Sequence, residues 1–204
     1  MLYVLLDALA QALPPHYSVI KDAESDLAVG PYGYVMAVNF VNRAVFSLVF
    51  LYALSTTAKA GGGLTTPGTE RRFKAGLYVL GVWGVGSLLL AFFPTDVPAT
   101  PISWHGAVHL VVAAVAFLGG AAGAVLLSSS FGNSPVLQFA KRTSFPISVL
   151  CLILLLIGFG TISGPIGGLT ERLFLGSVLL WEAVVSLNLA RTNVTAPPMG
   201  RSAS

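Results

Sequence analysis

The sequence predicts an all-α fold: a polytopic transmembrane helix bundle with five full spans and a partial helix at the N-terminus. Of the 204 residues, 55% are hydrophobic and only 9% are charged, whereas a soluble domain carries roughly 25% charged residues. The mean hydropathy is +0.82. So little polar surface cannot cover a globule of this size in water, and we therefore expect lipid to cover it.

The charge and the cysteine content exclude several other classes. The formal net charge is +3, and the basic residues are spread along the chain, whereas nucleic-acid-binding proteins cluster them on one face. We therefore predict no nucleic-acid partner. The one cysteine, Cys151, lies in an apolar run, which excludes an intramolecular disulfide framework and a cysteine metal site.

Five apolar stretches are long enough to cross a hydrocarbon core of roughly 30 Å as helices. The 21 residues between Lys74 and Asp96 carry no charge, and the 44 residues between Asp96 and Lys141 hold one span because Pro and Gly limit its helical part. The predicted spans are 31–54, 75–93, 102–127, 145–163 and 169–191.

The N-terminal segment MLYVLLDALAQAL is apolar but has only 13 residues before Pro14 and Pro15, which is too short to span. No basic residue precedes it, as one would in a signal peptide. We interpret it as the outer half of a first helix whose start is short or missing. A helix lying in the membrane interface is the alternative.

The basic residues of the connecting loops set the predicted orientation, because cytoplasmic loops are enriched in Lys and Arg. Two basic residues, Lys21 and Arg172, lie on one side of the membrane. Eight lie on the other: Lys59, Arg71, Arg72, Lys74, Lys141, Arg142, Arg191 and Arg201. We predict a multi-pass protein of the cell membrane with a cytoplasmic C-terminus, Ser129 facing the cytoplasm and Ser103 facing outside. Residues 1–191 form one helix-bundle domain, and 192–204 are expected to be a disordered tail.

The candidate functional residues lie on the predicted extracytoplasmic face. His105 and His109 are four residues apart, which places both imidazoles on one side of a helix. Asp96 precedes them across a Pro-rich turn, and these three side chains are the predicted ligands of a Zn²⁺ ion. The alternative is that the acidic residues only complement the basic cytoplasmic loops.

Two further groups complete the candidate site. Ser25 and Asp26 precede a span and are expected to cap a short helix, although with the histidines they also supply the residue types of hydrolysis. Glu171 begins the last span. The predicted ligand-binding residues are Ser25, Asp26, Asp96, His105, His109 and Glu171.

Arg43 lies in the middle of its span, where a charge costs about 2.5 to 3.5 kcal/mol, so it should face the bundle and find a partner. Glu182 lies at nearly the same depth when residues are counted from the outer ends of the two helices. The sequence therefore predicts an intramembrane Arg43–Glu182 ion pair with a structural role, and Asp7 is the rival partner.

Small residues predict close helix packing. Gly119 and Gly123 form a GxxxG pair on the span that carries the histidines, and Gly81 and Gly84 lie on the preceding span. Such residues let helix backbones approach each other. We expect the polar residues of the outer face to lie over a tight seam between helices.

The order of several motifs resembles that of the domain-of-unknown-function 998 family of prokaryotic membrane proteins, over nearly the whole chain. The resemblance implies a six-helix bundle with short loops and supplies no established activity. The chain departs from the family in its half-length first helix and in Ala28, where the family often has Gly. The motifs are Tyr17-Ser18, Glu24-Ser25-Asp26-Leu27, Asn39, Phe93-Pro94-Thr95-Asp96, His105-Gly106-Ala107-Val108-His109, Glu171-Arg172-Leu173 and Trp181.

These observations favour an accessory role, in which a polar pocket on the outer face binds a lipid head group or small ligand, or the protein contacts another membrane protein. The alternative is a metal-dependent hydrolase of lipid amides or esters, because the Ser, Asp and His pattern is also similar to that of the alkaline-ceramidase-like membrane hydrolases, which use zinc. A transporter is disfavoured, because the sequence has no pair of broken helices in two matching halves.

Overall fold

The computed structural model describes residues 2–61, 64, 66–97 and 100–195, with backbone alone for 192–195. Among them, five helices are long and apolar enough to cross a membrane, which confirms the predicted fold class. A shorter apolar helix precedes them, and short 3₁₀ helices occupy Glu24–Ala28 and Phe131–Asn133. The six α-helices are α1 (Leu2–Ala12), α2 (Gly33–Ala60), α3 (Pro67–Leu90), α4 (Trp104–Ser130), α5 (Gln138–Thr161) and α6 (Gly167–Thr195).

The helices extend beyond the predicted spans into polar sequence, and α2, for example, ends at Ala60 rather than at 54. Helix α3 begins at Pro67 rather than at 75, because proline suits the first helical position and the Thr66 side chain accepts a hydrogen bond from the backbone N–H of Thr69. Helix α5 begins at Gln138 rather than at 145. Helix α6 continues to Thr195, so residues 192–195 belong to a helix and not to the predicted tail. Residues 196–204 lie outside the described part of the chain.

The five long helices form a ring. Each packs against the next along the chain, from α2 to α6, and α2 contacts α6 to close the ring, while α1 packs on α2. Short connections make consecutive helices antiparallel, so α2, α4 and α6 begin at the same end of the bundle. Large apolar side chains such as Val49, Leu118 and Leu156 cover its exterior, which is the surface that lipid requires.

The seam between α3 and α4 is the tightest in the bundle and follows the predicted GxxxG pair. A Cβ atom on Gly123 would lie 2.6 Å from the backbone nitrogen of Leu80, and one on Gly119 would lie 2.8 Å from the carbonyl oxygen of Val79. The other two predicted glycines face α2 instead of α4: a Cβ atom on Gly84 would lie 3.1 Å from Leu48, and one on Gly81 would lie 4.0 Å from Leu51. The α3 glycines that do contact α4 are Gly76 and Gly86.

Candidate functional site

One end of the bundle is covered by the segment that links α1 to α2. Its backbone accepts hydrogen bonds from the start of α6, with Gly168 N donating to Lys21 O at 3.2 Å and Leu169 N to Ile20 O at 3.0 Å. The Arg172 guanidinium donates to the carbonyl oxygen of Asp22 at 2.7 Å. These contacts place the short helix Glu24–Ala28 at the end where α2, α4 and α6 begin.

A cavity of about 200 Å³ lies beneath this short helix, between α2, α4 and α6. We call it the polar cavity. Phe40, Phe117 and Leu175 contribute to its apolar wall. Its polar lining consists of Glu24, Ser25, Asp26, Arg43, Thr95, His109 and Glu171. Four of the six predicted ligand-binding residues therefore line one cavity, whereas Asp96 and His105 do not line it.

Glu24 is the buried acid of the polar cavity, with 2% of its surface exposed. Its Oε1 accepts a hydrogen bond from the Tyr3 hydroxyl at 2.7 Å, and its backbone N–H donates to Glu171 Oε2 at 3.1 Å. Its Oε2 has no hydrogen-bond partner. Burial, reinforced by the nearby Asp7, raises the pKa of Glu24 to about 8.

Arg43 extends from α2 into the bundle, and 1% of its surface is exposed. Its Nε donates to Ser87 Oγ at 2.8 Å and its Nη1 to the Tyr3 hydroxyl at 3.2 Å. The guanidinium lies 4.5 Å from the ring centroid of Trp83, a favourable cation–π distance. Its Nη2 has no hydrogen-bond partner. Arg43 therefore links the Tyr3–Glu24 pair to α3 and keeps one donor unused.

The predicted Arg43–Glu182 pair does not form as a direct contact, although Glu182 lies within electrostatic range of the guanidinium. Among the described residues, no carboxylate lies at ion-pair distance from Arg43, and the rival partner Asp7 does not pair with it either. Glu182 is fully buried beside Ser47 of α2, and neither of its carboxylate oxygens makes a well-aligned hydrogen bond. Both residues face inward as predicted, but the guanidinium turns toward Tyr3 and Ser87.

The two histidines of α4 have different surroundings. His109 is 2% exposed, and its Nδ1 lies 2.7 Å from the carbonyl oxygen of Phe93. Since a carbonyl oxygen only accepts, Nδ1 carries the hydrogen, and Nε2 is an acceptor in the neutral ring. His105 is exposed and stacks on Trp104, with ring centroids 3.4 Å apart. Only His109 belongs to the polar cavity.

Asp96 holds Ser103, the N-cap residue of α4, and does not line the polar cavity. Its Oδ2 accepts the backbone N–H of Ser103 at 2.9 Å and its Oδ1 accepts the Ser103 hydroxyl at 2.6 Å. These hydrogen bonds lower the pKa of Asp96. Ser103 Oγ in turn accepts the backbone N–H of Gly106 at 3.1 Å. The side chain is thus fixed by the first turn of α4.

The predicted zinc site of Asp96, His105 and His109 is not assembled. In residues 2–61, 64, 66–97 and 100–195, no group of three His, Cys, Asp or Glu side chains could hold a metal ion. The spacing of four residues brought the imidazoles near each other on the helix. Their partners, however, are a carbonyl oxygen for His109 and an indole ring for His105.

Asp26 performs the predicted capping of the short helix. Its Oδ2 accepts the backbone N–H of Ala23 at 3.0 Å, whereas Ser25 lines the polar cavity without such a bond. Burial raises the pKa of Asp26, and the bond from Ala23 opposes that rise. Asp26 therefore both holds the cover in place and lines the cavity.

Tyr3 and Glu24 are hydrogen-bonded to each other beside the polar cavity, and the sequence did not single out either of them. Glu24 lay among the outer acids, but its spacing gave no reason to prefer it over Asp22 or Asp26. Tyr3 lies in a short apolar helix, where an aromatic residue normally contacts lipid. Only the packing of α1 on α2 brings its hydroxyl between Arg43 and Glu24.

The fold and the interior together define a class of protein. Five apolar spans with an apolar exterior, and charged side chains confined to the interior and the ends, make this a multi-pass α-helical membrane protein.

The chain belongs to the family described as "Protein of unknown function (DUF998)", whose model matches residues 1–188. No curated protein and no solved structure matches it.

Proposed function

We propose that the protein binds a membrane lipid, with the lipid head group in the polar cavity and the chains on the apolar flank of the bundle. The observation that carries this proposal is a cavity lined by Arg43 and Glu24, each with one buried polar atom that lacks a partner. Buried polar atoms in native proteins nearly always have partners. A bound head group would supply them.

The flank of the bundle offers a route for the acyl chain. A narrow groove of about 30 Å³ runs between the middle of α4, the end of α5 and the start of α6 and is lined by Leu155, Gly158, Phe159 and Phe174. Phe117, Ile162 and Glu171 line both this groove and the polar cavity. A head group in the cavity therefore has an apolar exit beside it, and the positive-inside prediction assigns that exit to the outer leaflet.

The proposed role is binding rather than catalysis. The hydrolase alternative required Asp96, His105 and His109 to act on one metal ion, and these side chains have other partners. We expect the protein to bind its lipid without altering it, either to present the lipid to another membrane protein or to pack beside one.

Blocking the groove tests the proposal. A Cβ atom on Gly158 would meet nothing within 4 Å, so Gly158→Trp should fold and fill the lipid route. We expect native mass spectrometry of the wild-type protein to show a retained lipid, and the variant to retain about tenfold less, since a lost apolar contact of this size is worth roughly 1.4 kcal/mol.

Gly160→Trp is the matched control. Gly160 is also open to space, lies two residues further along α5 and does not line the groove. Its variant should retain lipid like the wild type. Equal retention by both variants, or no retained lipid in the wild-type protein, would contradict the proposal.

A further inference from the structure

The polar cavity and the network behind it contain more acids than bases. Five carboxyl groups lie here, those of Asp7, Glu24, Asp26, Glu171 and Glu182, and two guanidiniums, those of Arg43 and Arg172, lie within electrostatic range of them. Unpaired charges are costly in an interior of low dielectric constant. With every group ionised the region would carry three uncompensated negative charges, so it must take up protons or a bound cation.

Both guanidiniums already have hydrogen-bond partners outside the centre of the cavity. Arg172 donates to the carbonyl oxygens of Val19, Asp22 and Gly168 and to Gln11 Oε1, and it does not line the cavity. Arg43 directs two nitrogens to Ser87 and Tyr3. Glu24, Asp26 and Glu171 are left as acids on the cavity wall.

We propose that the ligand of the polar cavity is an organic primary ammonium group, such as the end of an ethanolamine head group, and that its binding displaces a proton from Glu24. This inference rests on the proposed function and specifies the ligand of that site. Glu24 is almost fully buried and has one oxygen without a partner. The contacts among the acids therefore leave a buried acceptor for a ligand.

The acceptors around the cavity match a donor with three N–H bonds. Glu24 Oε2 has no partner, and in the neutral ring of His109 the Nε2 atom is an acceptor. Glu171 accepts one bond from Glu24 N through Oε2. An ammonium group supplies three donors, whereas a quaternary ammonium supplies none. A phosphate ester beside the ammonium would accept from the unused Nη2 of Arg43.

The proton balance follows from the surroundings of Glu24. The groups that act on it are Tyr3 and Asp7 on α1, Arg43 on α2 and Glu171 on α6. Asp26 and His109 line the same cavity, and Arg172 lies within electrostatic range of Asp26 and Glu171. Without a ligand, Glu24 is protonated at neutral pH, because burial raises its pKa to about 8. An arriving ammonium stabilises the carboxylate, and the carboxyl proton leaves to solvent.

The test compares lipids that share acyl chains and differ in head group. Wild-type protein in nanodiscs is titrated with phosphatidylethanolamine, phosphatidylcholine and phosphatidylglycerol, and with soluble ethanolamine. We expect phosphatidylethanolamine to bind about tenfold or more tightly than either other lipid, because charge-assisted hydrogen bonds are lost with both. The affinity for phosphatidylethanolamine should fall by about tenfold for each pH unit below about 8, the pKa of Glu24, because binding then has to displace the carboxyl proton.

Two variants separate the roles of the acids. Glu24→Gln should weaken phosphatidylethanolamine binding and remove most of its pH dependence. Glu70→Gln changes an exposed carboxylate at the opposite end of the bundle and should leave both unchanged. Circular dichroism of each variant confirms that the helices are retained.

The outcomes distinguish the two proposals. Equal binding of the three lipids would leave the lipid site standing and overturn the ammonium inference. Binding of soluble ethanolamine without any lipid would support the ammonium site and overturn the lipid role. Binding of none of the four would overturn both, and a pH profile unaltered by Glu24→Gln would overturn the proton exchange.

Discussion

At the scale of single residues, Arg43 shows how a charge is accommodated inside a membrane bundle. Its guanidinium has hydrogen-bond partners on α1 and α3 and lies over the Trp83 ring. Each contact depends on the planar fork of the guanidinium, which a lysine ammonium cannot reproduce. The position therefore selects for arginine and not only for positive charge.

We expect Arg43→Lys to destabilise the protein by about 1 to 3 kcal/mol, because Ser87 and the Tyr3 hydroxyl lose a buried charge-assisted partner. Thermal unfolding in detergent measures the effect. Arg71→Lys, at an exposed position of α3, is the matched control and should unfold like the wild type. An unchanged midpoint for Arg43→Lys would mean that the guanidinium contacts add nothing to stability.

Glu24 gives stability a predictable pH dependence. Its pKa is about 8 in the folded protein and 4.5 for an ordinary glutamate, so the folded state binds more protons between these values. Stability should therefore fall as the pH rises from 4.5 to 8, by up to about 1.4 kcal/mol per pH unit. Unfolding midpoints across that range should decline less steeply in Glu24→Gln. Glu70→Gln should keep the wild-type slope, and a steeper slope in Glu24→Gln would contradict this account.

The sequence located the polar residues better than it located their partners. The cost of a charge in lipid predicts that Arg43 and Glu182 are buried, and the rise per residue of a helix predicts that they lie at a common depth. The two side chains make no direct contact, because depth does not determine where a long side chain turns, and Arg43 donates to the hydroxyl groups of Ser87 and Tyr3 instead. For the same reason, the different surroundings of His105 and His109 could not be predicted. Their spacing along the helix carries no information on which residues lie next to each ring.

At the scale of helices, the α3–α4 seam depends on missing side chains. The backbone of α3 lies so close to Gly123 that a methyl group there would displace the main chain of Leu80. Backbone atoms cannot move aside as a flexible side chain can. The GxxxG pair made this seam predictable, but a small residue on α3 could not be assigned to α2 or α4 from spacing alone.

We expect Gly123→Ala to destabilise the bundle by about 1 to 3 kcal/mol through overpacking. Gly160→Ala, in the same type of helix with open space around its Cβ position, should be neutral or stabilising by up to about 1 kcal/mol. Chemical unfolding followed by circular dichroism compares the two. Similar losses in both variants would show that the seam is not the cause.

The ends of the helices were less predictable than their apolar middles. Helices α3 and α5 start within charged or polar sequence, where hydropathy gives no signal. Caps decide these boundaries, as Thr66 does for α3 and as Asp96 and Ser103 do for α4. The Asp96–Ser103 contact was hidden because an acid before a span was interpreted as a metal ligand.

At the scale of the whole molecule, the two ends of the bundle differ in chemistry. One end has the polar cavity and its cover, and the other has most of the basic residues in the chain. The positive-inside rule assigns the basic end to the cytoplasm. The polar cavity would then open toward the outer leaflet, which determines which lipids can reach it.

Single cysteines in a Cys151→Ser background test this orientation. Ser103 and Ser129 are half-buried and hydrogen-bonded, so the exposed residues Thr100 and Gln138 are better labelling sites. In intact cells, an impermeant maleimide should label Thr100→Cys alone, and permeabilised cells should show both. Labelling of Gln138→Cys alone in intact cells would indicate the opposite orientation, because Thr100 and the start of α5 lie at opposite ends of the bundle. The polar cavity would then bind lipids of the cytoplasmic leaflet.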